Sequence, residues 1–151
     1  MIIKKIFIIG AFTSVSNNGL NKYKIYYEIL KKQFPNAEIK TPNDILIYRL
    51  NFERVNKNAT VKQIADAMVK YDIEQVTSSD LIVADVSIAS TGLGIELGSL
   101  MGKRKKILLF ALKDFTISNM VIGAFDNVNL VRYNRLEELD MLLNESLKKL
   151  F

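Results

Sequence analysis

The sequence predicts an α/β fold built on a doubly wound sheet of five parallel strands. Short apolar runs rich in β-branched residues alternate along the chain with longer segments in which apolar residues recur at helical spacing. The run at residues 81–86 shows no polar alternation, which is typical of a strand covered on both faces. Strands and helices that alternate in this way usually adopt the order 2-1-3-4-5, the flavodoxin-like form of the Rossmann-like sheets.

The N-terminal part is predicted to contain two strands and the helix between them. Residues 2–9 form the first strand, which ends at Gly10, and a polar loop follows. Asn21 or a neighbour caps a helix that runs to about residue 34, and residues 37–40 form a short edge strand. Five residues recur at helical spacing in that helix and are interpreted as core and interface contacts rather than as a stacking platform. They are Tyr23, Tyr26, Tyr27, Leu30 and Phe34.

The middle of the chain is predicted to pass from a turn into a long helix. Residues 41–44 have the composition of a turn, and residues 45–58 follow no clean period, so they are assigned only as a loop with some helix. Thr60 caps a helix over residues 61–78. Its buried seam comprises Val61, Ile64, Ala65, Met68, Asp72 and Val76. Because burying an uncompensated carboxylate costs several kcal/mol, Asp72 either has a partner or function, or caps a neighbouring backbone group.

The C-terminal part supplies two more strands and a closing helix. Residues 106–112 and 127–131 are predicted strands, and residues 136–150 form an amphipathic helix. The basic cluster at residues 103–105 is interpreted as complementing a helix C-terminus rather than as a phosphate site. Residues 1–151 therefore form a single predicted domain.

Composition limits the chemistry that the chain can perform. Its 151 residues, 49% of them hydrophobic, suffice for one domain with its own core. Without Cys or His, thiolate metal sites and imidazole catalysis are excluded, so a reaction depends on carboxylates, hydroxyls, amides or lysines. The formal charge of +5 is scattered, which predicts no nucleic-acid partner. Residues 1–10 are too short for a membrane span and lack a signal-peptide pattern, so a cytoplasmic protein without a membrane partner is expected.

The stretch DLIVADVSIASTGLGIELG, residues 80–98, carries the candidate chemistry. Residues 87–94 form a small polar loop whose glycines permit conformations that a side chain would obstruct. A helix then begins and places Glu96 in its first turn, where the helix dipole favours an ionised carboxylate by roughly 0.3 to 1 kcal/mol. Ile95, Leu97 and Leu100 are expected to pack inward.

A ligand crevice is expected where this loop meets the loop after the first strand, at the switch point of the sheet. Small hydroxyl-rich loops at a helix N-terminus can bind an anion or a sugar hydroxyl through backbone amides. The candidates are Ser90, Thr91, Gly92 and Gly94. Two glycines alone are equally compatible with a plain strand-to-helix turn, whereas the complete string STGLGIELG is far more specific.

The string STGLGIELG, with Asp72 upstream in KYDIEQVTSSDLIVADVS, resembles the signature of the nucleoside 2-deoxyribosyltransferase family, which includes the deoxynucleoside 5'-monophosphate N-glycosidases. The resemblance extends more weakly from IFIIGAF to SNMVIGAFDNV. It implies that Glu96 attacks the anomeric carbon of deoxyribose and that Asp72 protonates the leaving base or orients the sugar. Gly92 and Gly94 match the loop glycines of the family.

The resemblance also implies a homodimer or a higher even oligomer. Ser118 matches a position that in this family reaches into the neighbouring subunit's site near the sugar 5' group, and Asn119 follows it. Surplus aromatic and apolar residues agree with an interface. They include Phe12, Tyr26, Tyr27, Met120 and Phe125.

The chain departs from the family pattern in its first loop. In the monophosphate N-glycosidases a Tyr-containing first strand is followed by a loop that resembles G-S-I-R. This chain has Phe7 in the strand and reads GAFT at residues 10–13, so it lacks the serine and arginine that bind the phosphate in that pattern. Ser90 stands where the deoxyribosyltransferases tend to carry Asp, and Ser118 where they carry Asn. These serines favour a 5'-monophosphate, for which Lys22 or another lysine would supply the cation.

The predicted enzyme cleaves the N-glycosidic bond of a 2'-deoxynucleoside or its 5'-monophosphate through a covalent deoxyribosyl-Glu96 intermediate. Water would resolve the intermediate in an N-glycosidase and a second base in a transferase, and neither step needs a cofactor or a metal. The alternative is a non-catalytic nucleotide-binding or sensing module. Beside the catalytic Glu96 and Asp72, the predicted substrate-binding residues are Gly10, Ala11, Thr13, Ser90, Gly92, Gly94, Ser118 and Asn119.

Overall fold

Five parallel strands form one sheet in the part of the chain that the computed structural model describes, residues 2–11, 17–126 and 128–151. Their order, β2-β1-β3-β4-β5, confirms the predicted fold class. The strands are β1 (Lys5–Gly10), β2 (Glu38–Lys40), β3 (Leu81–Asp85), β4 (Lys106–Leu112) and β5 (Asn129–Tyr133). The helices are α1 (Asn17–Gln33), α2 (Pro42–Val55), α3 (Val61–Ser78), α4 (Thr91–Gly98), α5 (Asn119–Gly123) and α6 (Leu139–Leu150), with a 3-10 turn at Leu136–Glu138. Among these helices, none is both long and apolar enough to cross a bilayer.

Strand β3 is the centre of the fold because all five of its residues are buried. On one face of the sheet, side chains of α1 and α6 pack against Leu81 and Val83. On the other face, side chains of α3 and α4 pack against Ile82 and Ala84. Each Leu, Ile or Val buried in this way contributes about 1.5 to 3 kcal/mol. The pairing register aligns Asp85, the last residue of β3, with the end of β1, so both strand ends open on the same edge of the sheet.

Helix α2 is the largest departure from the sequence interpretation, because residues 42–55 were expected to be a turn followed by a loop with some helix. Thr41 is the N-cap of α2, Pro42 is its first residue, and the Asp44 carboxylate accepts a hydrogen bond of 2.8 Å from the Thr41 backbone N–H. The residues that have the composition of a turn therefore form a capping box with proline at the first helical position.

Helix α4 begins at Thr91, earlier than expected, because the Ser90 side chain caps it by accepting from the Leu93 backbone N–H at 3.1 Å. Glu96 consequently lies in the second turn rather than the first. The helix dipole stabilises an ionised carboxylate mainly in the first turn, so the expected stabilisation of Glu96 is lost. Gly92 lies within the helix and has no positive φ. Ile95 is 53% exposed and does not pack inward, whereas the buried Leu97 does.

Smaller departures concern element ends and faces. Helix α1 begins at Asn17 rather than after Asn21, and β5 runs to Tyr133, two residues beyond the expected end. In α3 the predicted bounds are confirmed, but Val61 and Ala65 of the predicted buried seam are exposed.

Candidate active site

A cavity of about 580 Å³ opens at the carboxyl ends of β1 and β3. The end of β1, the loop after β3 and the start of α4 form its floor, and α2 and α3 form a wall. The described residues that line it are Gly10, Pro42, Ile45, Leu46, Arg49, Met68, Asp72, Ala89, Ser90, Thr91, Gly92, Leu93 and Glu96. The structure thus brings together Glu96, Asp72 and three of the predicted binding residues, Gly10, Ser90 and Gly92.

Asp72 and Glu96 lie next to each other at this cavity, close enough for their carboxyl groups to share a hydrogen bond. Glu96 is 7% exposed and Asp72 is half-buried. The Asp72 Oδ1 atom is buried and receives no N–H or hydroxyl donor from the described residues. Two carboxyl groups can form a hydrogen bond only when one of them is protonated, so a proton held by the pair is what satisfies Asp72.

Burial is the main cause of the raised pKa values of the two carboxyl groups. It raises the pKa of Glu96 well above its ordinary value, and the nearby negative charge of Asp72 raises that pKa further. Burial also raises the pKa of Asp72, while its hydrogen bond with Glu96 acts in the opposite direction. The pair therefore retains one proton at neutral pH and holds an ionised and a protonated carboxyl side by side.

Ser90 has a free donor at the rim of the cavity. Its Oγ accepts from the Leu93 N–H as the helix cap, so its hydroxyl hydrogen remains available to a ligand. Gly92, in the first turn of α4, is exposed. The first backbone N–H groups of this helix have no intrahelical partner and favour an anion or a polar oxygen.

Arg49 is a lining residue that sequence reasoning missed. It is the cationic side chain among the described residues that line the cavity, and its Nε donates to Glu53 of the same helix at 2.9 Å. Its side chain is 50% exposed, so it can contact a ligand without losing buried packing contacts. The capping box at residues 41–44 is the signal that could have revealed α2, and with it this residue.

A second missed feature is the buried carboxylate of Asp85, the residue that pairs in register with the cavity-lining Gly10. Its oxygens accept from Lys22 Nζ at 2.9 Å, from the Tyr133 hydroxyl at 2.7 Å, from the Tyr26 hydroxyl at 3.2 Å and from the Ser87 N–H at 3.1 Å. Asp85 is 1% exposed and Lys22 is 5% exposed. Lys22 is therefore committed to this ion pair, which corrects the expectation that it could supply a cation for a phosphate.

Of the remaining predicted site residues, Ala11, Gly94, Ser118 and Asn119 are not among the described residues that line this cavity. Ala11 is buried, Gly94 lies within α4, and Thr13 lies outside the described residues. Ser118 caps α5 by accepting from the Met120 N–H at 3.2 Å, and both Ser118 and Asn119 are exposed. Among the residues expected at an interface, Met120 is 80% exposed, Phe12 lies outside the described residues, and Tyr26 is wholly buried in the core. Tyr26 is therefore not available to an interface, because its hydroxyl is directed inward to Asp85.

The fold and the cavity define a parallel α/β domain with a proton-sharing carboxyl pair at its switch point. No protein-family model matches the chain, but comparison with individual known proteins identifies similar enzymes. It is 44% identical over 82 residues to a 5-hydroxymethyl-dUMP N-hydrolase of Esox lucius, a match covering 52% of this chain and 57% of that protein. It is 28% identical to a 5-hydroxymethyl-dUMP N-hydrolase of Danio rerio, over 75% of this chain and 76% of that one.

Two further comparisons extend over more of the chain. A protein of Methanosarcina mazei named as a 2'-deoxynucleoside 5'-phosphate N-hydrolase is 23% identical over 85% of this chain and 74% of its own length. A solved structure of a Clostridium botulinum CMP N-glycosidase superposes with a TM-score of 0.63 over 93% of this chain and 99% of that one, at 17% identity, which supports the fold. Together the matches confirm the resemblance to the nucleoside 2-deoxyribosyltransferase family.

Proposed function

We propose that this protein is an N-glycosidase that cleaves the bond between base and sugar in 2'-deoxynucleoside 5'-monophosphates. The observation that carries the proposal is the buried Asp72–Glu96 pair, which retains a proton and lines a cavity large enough for a nucleotide. The names of the relatives, N-hydrolases of 5-hydroxymethyl-dUMP and of 2'-deoxynucleoside 5'-phosphates, support the same reaction class.

In the proposed reaction the ionised Glu96 carboxylate attacks C1' of the sugar while the protonated Asp72 donates its proton to the departing base. Because burial and the charge of Asp72 raise the pKa of Glu96, the shared proton starts on Glu96 and has to pass to Asp72, along the hydrogen bond between the two carboxyls, when substrate binds. The bond from C1' to the base nitrogen breaks, and an ester between C1' and a Glu96 oxygen forms. Asp72, now ionised, removes a proton from the water that attacks C1', which releases 2-deoxyribose 5-phosphate and restores the pair.

One experiment tests this function against its alternatives. The purified protein is incubated with a panel of deoxynucleosides and their 5'-monophosphates, with and without an added acceptor base, and released bases are quantified. Free base without an acceptor supports the hydrolase, and a new nucleotide formed only with an acceptor would make the protein a transferase. Nucleotide binding without base release would make it a binding or sensing module.

The preference for a monophosphate is proposed from the groups around the cavity rim. The Ser90 hydroxyl and the first N–H groups of α4 can donate to phosphate oxygens without introducing negative charge. Arg49 supplies a cation from the opposite wall, in place of the first-loop arginine that the sequence lacks.

Ser90→Asp is expected to lower the preference for the monophosphate over the free nucleoside about tenfold or more, because a carboxylate a few ångströms from the phosphate repels it. Aspartate is as good an N-cap as serine, so α4 should still begin at the same residue. The measurement is kcat/KM for one deoxynucleoside and its monophosphate in both proteins, with the free nucleoside as the internal control. An unchanged ratio would remove Ser90 from the phosphate site.

Asp72→Asn is expected to leave the protein folded and to lower kcat by about a hundredfold or more, because the amide fills the same space but cannot protonate the base. The kcat of wild type should fall at alkaline pH, when the carboxyl pair loses its last proton. This fall should be absent from the pH profile of the variant. The matched control is Asp66→Asn, the same change at an exposed position of α3. If Asp72→Asn is unstable yet fully active per folded molecule, Asp72 is structural.

We also propose that the active form is a homodimer or a higher even oligomer. Ser118 and Asn119 are exposed and are not among the described lining residues of their own cavity, which supports a role in the site of a neighbouring subunit. Met120 and Ile122, 80% and 41% exposed, provide apolar surface on the same short helix.

A further inference from the structure

A basic surface lies at the edge of the sheet opposite the cavity that contains Glu96. The strands are parallel, so their first residues share this edge, and Lys106 at the start of β4 pairs in register with Leu81 at the start of β3. The last turn of α6 joins them, because the Lys106 Nζ donates to the Leu150 carbonyl at 2.7 Å. The basic side chains come from three distant segments of the sequence, and together they are called the basic edge: Lys4, Lys103, Arg104, Lys105, Lys106 and Lys148.

The charge of the basic edge is not neutralised by ion pairs. In the described part of the chain, none of its six residues forms a salt bridge with a carboxylate. Lys105 and Lys106 donate instead to backbone carbonyls at the ends of α3 and α6, which positions both side chains and leaves their charges in place. Asp80 lies nearby, with its pKa lowered by a hydrogen bond from the Lys4 N–H and by the charge of Lys105, and it offsets a single positive charge. The surface therefore attracts an anionic partner.

The first of two cavities at this edge, about 660 Å³, lies between the ends of α1 and α6 and is lined by Lys106 and Lys148. It also contains the ring of Phe151, which is 54% exposed, and the Lys106 Nζ lies 4.0 Å from the centroid of that ring. Phe34 packs edge-on against Phe151, with the ring centroids 6.0 Å apart. An accessible ring beside a cation offers one surface on which a base can stack and one charge for a phosphate.

The second cavity, about 560 Å³, shares Lys106 with the first. Lys103 and Arg104 line it, both exposed, and so does the partly exposed ring of Phe125. Asp126 also lines it and offsets part of the charge. Each cavity is large enough for a nucleotide. Because the two adjoin at Lys106, a chain of phosphates can follow the cations while successive bases enter the cavities, which the stacked bases of a duplex cannot do.

We propose that the basic edge binds a single-stranded nucleic acid, with phosphates on its lysines and arginine and bases on the phenylalanine rings of the two cavities. The inference goes beyond the proposed function and does not depend on it. It departs from the prediction made from the sequence, in which the same charges are scattered, because only the parallel fold brings them to one edge. The concave, aromatic walls favour a flexible strand over a flat lipid surface.

Loss of two charges from the basic edge tests the inference. Fluorescence anisotropy with labelled oligo-dT should give micromolar affinity for wild type at low salt. Lys103→Ala combined with Arg104→Ala should weaken binding about tenfold, and the slope of log affinity against log salt should become shallower by about 1.4, since two phosphate contacts are lost. Lys57→Ala combined with Lys70→Ala removes the same charge from exposed positions elsewhere and should bind as wild type does. Equal weakening by this control would overturn the inference, because net charge alone would then explain the binding.

Phe151→Leu separates stacking from charge. It should weaken binding of oligo-dT about fivefold or more and leave the salt dependence unchanged, because stacking releases no counterions. Wild type should bind oligo-dT and oligo-rU more tightly than a duplex of the same length, and comparison of the two strands shows whether DNA or RNA is preferred. Wild-type affinity in Phe151→Leu, tighter binding of the duplex, or binding to vesicles of anionic lipid but not to the oligonucleotides would each overturn the inference.

Competition distinguishes the basic edge from the cavity that contains Glu96. Excess dUMP should not displace the oligonucleotide, and displacement would place the oligonucleotide in that cavity and overturn the inference. Base release from dUMP by the Lys103→Ala and Arg104→Ala double variant should equal that of wild type. Since anisotropy needs no turnover, a protein that releases no base but shows these binding differences would contradict the proposed function and support the nucleic-acid surface.

Discussion

Glu96→Gln is expected to lower base release by at least about a hundredfold while the protein remains folded, because an amide cannot form the ester bond to C1'. The side chain keeps its volume, and its N–H donates to the Asp72 carboxylate in place of the shared proton. The measurement is single-turnover base release from a deoxynucleoside monophosphate. Glu74→Gln, at an exposed position of α3, is the control and should retain full activity. Undiminished turnover in Glu96→Gln would exclude Glu96 as the nucleophile.

The same substitution should also change how stability depends on pH. The folded-state pKa of Glu96 is raised above its ordinary value of 4.5, so the folded chain holds a proton that the unfolded chain releases. This difference costs stability progressively as the pH rises above about 4.5, and it is absent at lower pH, where both states are protonated. Glu96→Gln should therefore match wild type near pH 4 and have the higher thermal midpoint at pH 8. A lower midpoint at pH 8 would mean that Glu96 is ionised and well paired in the folded protein.

The fold could be predicted from the sequence because the strands that form its centre contain almost no polar residues. Burial on both faces requires continuous apolar runs, and β3 and β4 display them directly. Helix α2 could not be recognised by periodicity, because it packs mainly against α3 beside the cavity and leaves Leu46 and Leu50 exposed. Its start was marked by the capping box at residues 41–44, which has the same composition as a turn.

The site could be predicted in its carboxyl pair but not in its surroundings. Asp72 stands on a helical stripe where apolar residues are expected, and Glu96 lies in the string STGLGIELG. Both residues can therefore be identified from the sequence alone. The ionisation of Glu96 was predicted in the wrong direction, because the sequence indicates a nearby helix dipole but not the burial that outweighs it. Asp85 is paired with Lys22 and Tyr133, which are distant in sequence, and no local pattern reveals those contacts.

Asp85 joins elements that would otherwise meet only through apolar contacts. Its carboxylate receives donors from α1 and from β5, while the next polar side chain, Ser87, accepts from the Leu112 N–H at the end of β4 at 2.8 Å. The ends of β3, β4 and β5 are thereby tied to α1 at the edge where the cavity opens. A fully satisfied buried network of this kind fixes one arrangement of the backbone around the site.

Asp85→Ala is expected to lower the free energy of unfolding by about 3 to 5 kcal/mol, because it leaves the Lys22 ammonium buried without its counterion and removes the acceptor of two tyrosine hydroxyls. The measurement is urea unfolding followed by circular dichroism. Asp80→Ala is the control, because Asp80 stands just before the same strand and accepts from the backbone N–H groups of Lys4 and Lys5 at a more exposed position. It should cost less than Asp85→Ala.

Lys22→Met added to Asp85→Ala should recover part of the lost stability, because the buried charge is then removed rather than left without a partner. Lys22→Met alone should cost less than Asp85→Ala, since the carboxylate keeps the two tyrosine hydroxyls and the Ser87 N–H as donors. If Asp85→Ala costs less than about 1 kcal/mol, or if Lys22→Met added to it lowers stability further, the ion pair does not hold α1 to the sheet and the rigidity of the cavity floor has another source.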